Sequence, residues 1–171
     1  HLQYAYDLLG TGGNGKGCFL KALLDFYGPL GSTFSFADFA GIGKVSPTSY
    51  EQAGVPLTQR LLAVDSDAPD PGLGDLGRLN KAISGEEVSV RLLGFNARMA
   101  RAVAVMVIAS NRTPSIASDP SQNRRWRFVN FDRTGSVVDD WRVALERDAL
   151  MIDLFMAGCV EWMTDPVGVN P

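Results

Sequence analysis

The sequence predicts a single α/β domain over residues 1–171, with a central parallel sheet flanked by helices. Three observations predict it. First, an alternating segment (Leu2, Tyr4, Tyr6, Leu8) leads into a Gly-rich loop at 10–15 and then into a helix-like run at 16–27. Second, residues 102–109 are apolar at every position, the pattern of an interior parallel strand covered on both faces. Third, strand-like and helix-like segments alternate along the chain, with no internal repeat or low-complexity tract.

The elements follow in order. The run 16–27 ends at Gly28-Pro29 and is apolar on nearly every face, which predicts a mostly buried helix with Cys18, Phe19, Leu20, Leu23 and Leu24 in the core. Residues 30–56 are rich in Gly, Ser, Thr and Pro and predict loop, with a short helix at 35–40. Arg60-Leu-Leu-Ala-Val-Asp65 is a short strand ending in acid, followed by a Pro/Gly/Asp loop at 66–75. A short helix at 76–84 and a turn at Ser84-Gly85-Glu86-Glu87 precede a strand from Val88 to Leu93. A partner strand near 94–102 would make a hairpin. The strand 102–109 ends at Ser110-Asn111, Trp126 to Phe131 is a further strand, and 139–163 carries helical spacing.

Composition narrows the chemistry. Apolar residues make up 46% and charged residues 20%, as in ordinary globular domains. A net charge of −3 means that any nucleic acid must be held by a local basic patch. The one histidine is His1, which removes His-based triads and His-ligated metals. Cys18 and Cys159 stand far apart and outside any CxxC, so a zinc site is not expected and reduced thiols in a cytoplasmic protein are. No run approaches the roughly 18 apolar residues needed to span a bilayer, so no membrane partner is expected. A first residue other than Met predicts a fragment of a longer chain with further domains upstream.

Gly10-Thr11-Gly12-Gly13-Asn14-Gly15-Lys16 has the spacing of a phosphate-binding loop. Glycines let successive backbone N–H groups face an anion, the following helix adds its positive end, and lysine reaches the outer phosphates. Gly17 and Cys18 complete the candidate set. The motif wants Ser or Thr after the lysine to hold Mg²⁺, and Gly17 has no side-chain oxygen. The plainer alternative is a Gly-rich turn capping a helix.

Other segments extend the pattern. Gly12 to Lys16 resembles the Walker A loop of superfamily 3 helicases, closest to the helicase domain of phage and plasmid primase-helicases, the family that includes the poxvirus primase-helicase. Arg60 to Asp67 resembles that family's Walker B strand, and Leu79 to Arg91 resembles its Lys-x-Leu-Thr-Gly-Gly-Asp segment. Ile108 to Pro114 resembles its motif C, Asn123 to Phe128 its Arg-Arg element, and Ala157 to Trp162 its closing helix. Shared order over nearly the whole chain carries the resemblance.

The resemblance implies an AAA+-like P-loop domain: an ATP-driven DNA helicase motor, with Mg²⁺, of phage or plasmid replication in the host cytoplasm. Its partners would be single-stranded DNA, a hexameric ring of copies, and an upstream primase domain. Lys16 would take the phosphates, Asp67 would stand at the catalytic acid position, and Asp65 would share the metal with it. Asn111 would be the sensor of the γ-phosphate. Arg124 or Arg125 would be the arginine finger for a neighbouring subunit. The basic stretch Arg78, Lys81, Arg91, Arg98 and Arg101 would face DNA, with Lys81, Arg91 and Arg98 as the expected contacts. Each has a plain alternative: an acidic loop, a strand-end turn, surface arginines, a solvated charged face. Two rival functions stand beside the helicase, namely a nucleotide-binding assembly protein that hydrolyses slowly and a small-molecule P-loop kinase.

Overall fold

A computed structural model of the chain describes residues 4–112, 114–118 and 120–131. The sequence-predicted helix at 139–163 and the closing-helix resemblance lie outside the described residues.

Five strands form one parallel sheet: β1 (Ala5–Leu9), β2 (Gly31–Thr33), β3 (Leu62–Asp65), β6 (Val105–Ser110) and β7 (Trp126–Asn130). Their spatial order is β2-β3-β6-β1-β7. β6, which takes up residues 105–109 of the apolar run and ends at Ser110, lies in the centre, and β1 is flanked by β6 and β7. Two strands outside this sheet, β4 (Glu87–Val90) and β5 (Arg98–Arg101), pair antiparallel as the expected hairpin. Residues 102–104 do not extend β6. They cross from the hairpin to the sheet, with Val103 N and Ala104 N both donating to Leu57 O.

Among the described residues six α-helices accompany the strands: α1 (Lys16–Tyr27), α2 (Phe36–Ala40), α3 (Pro47–Gln52), α4 (Val55–Gln59), α5 (Leu76–Ile83) and α6 (Pro120–Asn123). One sheet face packs Ala5, Ala63, Met106, Ile108 and Trp126 against Phe36, Phe39, Leu57, Leu79 and Ile83. The other packs Leu8, Leu62, Val64 and Val107 against Leu20, Leu23, Leu24 and Tyr27 of α1.

The expectation of a mostly buried α1 is corrected. Only Lys16 and Leu20 are buried on it, Cys18 is exposed, and Phe19 keeps 44% of its surface. A helix lying on a sheet buries one stripe; Leu20, Leu23, Leu24 and Tyr27 fill it, and the remaining apolar positions turn away. The 30–56 region also holds more structure than its composition suggests. β2 is a three-residue Gly-Ser-Thr edge strand held by β3, and α3 is started by the Ser46 hydroxyl accepting from Ser49 N. Neither carries a periodic apolar signal, because pairing and capping rather than burial make them.

Candidate nucleotide-binding site

The parallel register puts the carboxyl ends of β1, β3 and β6 at one edge of the sheet. The Gly-rich loop leaves β1 there and turns into α1. Gly15 caps the helix with φ 89°, a left-handed conformation that glycine adopts without strain. No side chain caps α1 and no acid stands in its first turn, so its leading N–H groups and positive end are left for an anion. Lys16 is buried, and its ammonium donates to the carbonyls of Gly10 and Thr11 and, at 3.0 Å, to Asn14 Oδ1. The other end of the Asn14 amide donates to Phe131 O at 2.7 Å, which ties the loop to the end of β7.

Asn111 follows the last residue of β6. With Gly10, Thr11, Arg112, Asn130 and Phe131 it lines a cleft of about 370 Å³ beside the loop. The sequence-predicted loop and sensor residues are thereby brought together, and Arg112 joins them unanticipated.

The acids are placed differently. Asp65 ends β3 at the same edge, but both its oxygens hold backbone: Oδ2 accepts from Phe36 N at 2.8 Å and Oδ1 from Asp67 N at 3.1 Å. It anchors the start of α2 and shapes the turn after β3. Asp67 is exposed. Among the described residues no three His, Cys, Asp or Glu side chains converge as a metal cage. Mg²⁺ delivered on a nucleotide needs only one or two carboxylates, a demand that Asp65 and Asp67 can meet through water, whereas Gly17 offers nothing.

Arg124 and Arg125 lie at the amino end of β7, where Arg125 O accepts from Ala5 N. The length of that strand, about 17 Å, separates them from this chain's own loop.

The hairpin basic residues divide. Lys81, at the last turn of α5, and Arg98 are exposed. Arg91 is held by Glu51, Nε to Oε2 at 2.7 Å, and Ser89 Oγ donates to the other Glu51 oxygen. The Arg91 bond is the main reason the Glu51 carboxyl sits below its usual range. Arg78 departs both from the expected DNA-facing stretch and from its solvated alternative. It is buried with its guanidinium over the Tyr50 and Phe39 rings at 3.6 and 4.4 Å, donating to Tyr50 O and Ser89 O. It is a packing residue that seats the hairpin on α3. The exposed end of the hairpin is largely apolar, with Leu93, Phe95 and Met99 all exposed.

Sequence reasoning missed Asp7. It is fully buried in β1, and its Oδ1 accepts from Ser110 Oγ at 2.8 Å. Its Oδ2 has no partner. A lone carboxylate inside Ala-Tyr-Asp-Leu-Leu, just before the loop, was the available signal. Burial pushes the Asp7 carboxyl up to about 6; the Ser110 bond and Lys16 pull against this and the Asp70 charge adds to it. The folded carboxyl therefore keeps its proton to higher pH than the unfolded one. Stability is lost as pH rises from near 3.8 through about 6, and stays lost above. Asp7→Asn is expected to raise the unfolding free energy at pH 8 by on the order of 2–3 kcal/mol, a gain that shrinks below pH 6 in urea titrations.

No protein-family model matches the chain, and no curated protein matches it. Solved structures do. The apo C-terminal region of NrS-1 superposes with a TM-score of 0.62 at 16% identity, over 85% of this chain and 34% of that one. A second structure of that region gives 0.54 at 18% identity, over 75% and 30%. JCV helicase, solved with a bound phenoxyphenylacetamide compound, gives 0.55 at 16% identity, over 78% and 37%. The chain spans about a third of the length of these structures. At such identities the likeness speaks for architecture alone: this chain has an α/β P-loop NTPase-like fold, similar to solved structures that include a helicase.

Proposed function

We propose that this chain is the ATP-hydrolysing motor of a superfamily 3-type DNA helicase, a piece of a longer phage- or plasmid-type primase-helicase that works as a hexameric ring on single-stranded DNA. The observation that carries the reading is the loop itself. A buried lysine and an uncapped helix start converge at the carboxyl edge of a parallel sheet, beside the asparagine that follows the neighbouring strand. That arrangement suits a nucleotide triphosphate.

In this reading Lys16 leaves the loop carbonyls for the outer phosphates, and the N–H groups of the first turn of α1 hold the inner ones. Asn111 orients the γ-phosphate or the attacking water. Asp65 and Asp67 hold Mg²⁺ through water, and the ion neutralises phosphate charge when bound. Arg124 or Arg125 reaches the nucleotide of the next subunit, which their distance from the chain's own loop favours. Lys81, Arg98 and the exposed Phe95 contact DNA by charge and stacking. Arg91 joins them only if phosphate displaces Glu51. Steady-state ATP turnover with and without single-stranded DNA tests the reading, with Lys16→Ala as the reference. Turnover no higher than that reference would sink it.

A second reading, a nucleotide-binding protein that hydrolyses slowly, is favoured by Gly17 and by the engagement of both Asp65 oxygens with backbone. One variant separates the two. A Cβ at Gly17 meets nothing within 4 Å, and its φ is not in the left-handed region, so a serine fits there. Gly17→Ser supplies the missing hydroxyl and is expected to raise Mg²⁺-dependent turnover about tenfold, the weight of roughly one good ligand or hydrogen bond. No change would mean that water already fills that position.

A further inference from the structure

We propose that Asp7 is a positioning residue of the nucleotide site: its hydrogen bond to Ser110 sets Asn111 at the mouth of the loop, and its charge opposes the phosphates that Lys16 receives. The proposal rests on the nucleotide-binding reading and adds to it a residue that touches no ligand.

The geometry carries it. Leu9 and Ser110 are in register on β1 and β6, and Gly10 N donates to Ser110 O at 3.3 Å. Two residues back, Asp7 takes the Ser110 hydroxyl at 2.8 Å. The backbone bond and the side-chain bond close a link between the strand that launches the loop and the strand that ends at Asn111. The Ser110 hydroxyl also lies 3.2 Å from Arg112 O, just past Asn111, but its one proton is shared with or surrendered to the shorter bond to Asp7. A fully buried carboxylate with one oxygen unpartnered is costly to keep in a strand core, where leucine or valine would pack at no such expense.

The charged groups whose fields reach Asp7 are few. Lys16 comes from the start of α1, and Asp70 from the loop after β3. Asp70 is fixed in place by the N–H groups of Gly72 and Ser115. In register with Asp7, β6 offers Ile108 and β7 offers Phe128, neither of them charged. Bound phosphates would therefore bring new negative charge toward a carboxylate that, among the described residues, has Lys16 to offset it. Nucleotide binding should favour the protonated form of Asp7, and binding should weaken as pH rises through the carboxyl's range.

The hydrogen bond and the charge can be separated by variants of the whole chain. Asparagine keeps an acceptor for Ser110 and removes the charge. Alanine removes both. Binding is read with ADP at pH 5.5 and pH 8, and the ratio of variant to wild-type affinity cancels the titration of ADP itself. Asp7→Asn is expected to bind ADP about three- to tenfold tighter than wild type at pH 8 and within about twofold at pH 5.5. Turnover reads the other arm. Asp7→Ala and Ser110→Ala are each expected to lower kcat about tenfold with KM changed less than about threefold, and Asp7→Asn to recover most of the loss seen in Asp7→Ala. An affinity ratio equal at the two pH values, or kcat unmoved in Ser110→Ala, overturns the proposal. Where wild type binds ADP but does not turn over, the binding arm decides alone. ADP binding that is absent in wild type and in Lys16→Ala alike is a separate result, which overturns the nucleotide reading itself.

Discussion

Lys16→Ala is expected to weaken nucleotide binding by roughly 10- to 100-fold and to reduce ATP turnover at least as far. The ammonium is buried at the head of α1, where it already holds two loop carbonyls and the Asn14 amide oxygen. A phosphate replaces those neutral acceptors with a charged one, and a hydrogen bond between charged partners contributes about 1.5–3 kcal/mol. Alanine leaves the loop with the positive end of the helix, worth about 0.3–1 kcal/mol when exposed, and Arg112 across the cleft. The side chain therefore outweighs the dipole, which is why the variant should keep weak binding rather than lose it altogether. Stability should change little, since the carbonyls freed at 10 and 11 belong to an exposed loop that water can reach. Titration with a labelled nucleotide checks the binding and urea unfolding checks the fold. Binding within twofold of wild type would mean that the loop does not receive phosphate.

Gly10→Ala is expected to have the largest effect of any single methyl group in the loop. A Cβ there would lie 2.1 Å from Asn14 Nδ2 and 2.6 Å from Phe131 O. The amide could swing aside, but only by giving up its 2.7 Å bond to Phe131 O. Phe131 cannot yield easily, because its own N–H donates to Leu9 O at 2.7 Å. The new methyl is caught between β1 and the end of β7. Overpacking of this kind costs about 1–3 kcal/mol, and the broken amide bond adds about 1 kcal/mol. The positive φ of 155° adds strain in the same direction. Gly12→Ala is the matched control: a Cβ there meets nothing within 4 Å and φ is not positive. Gly12→Ala should stay close to wild type in urea unfolding, while Gly10→Ala should lose about 2–4 kcal/mol and its nucleotide affinity with it. Equal behaviour of the two variants would mean that the loop is not braced against β7.

Lys16 and Gly10 also show how differently two residues of one motif can be read. Lysine after a Gly-rich stretch, following a strand-like segment and opening a helix-like one, is legible as a candidate phosphate ligand from local order alone. The need for glycine at position 10 is not, because the Asn14 amide crowds it only by being held on Phe131 O, which belongs to a residue far along the chain. The strands divide in the same way. β6 and β3 announced themselves by continuous apolar runs, since an interior parallel strand must be apolar on both faces. β2 did not, because a short edge strand exists by pairing with β3 and buries little of its own.

The sequence by itself determined the class of the domain, the position of its Gly-rich loop, the hairpin and the asparagine that follows the central strand. All of these follow from patterns within a few residues, where the periods of helix and strand and the freedom of glycine act. Only the tertiary structure decided the strand order, and with it which acids stand where. It spent both oxygens of Asp65 on backbone amides, buried Arg78 between two rings, held Arg91 to Glu51, and joined Asp7 to Ser110 across 103 positions. A charged side chain looks the same in a sequence whether it meets a ligand, a carbonyl or another charge. Its partner is chosen by the fold, because the energy of a buried charge depends on what lies within a few ångströms of it and not on its neighbours along the chain.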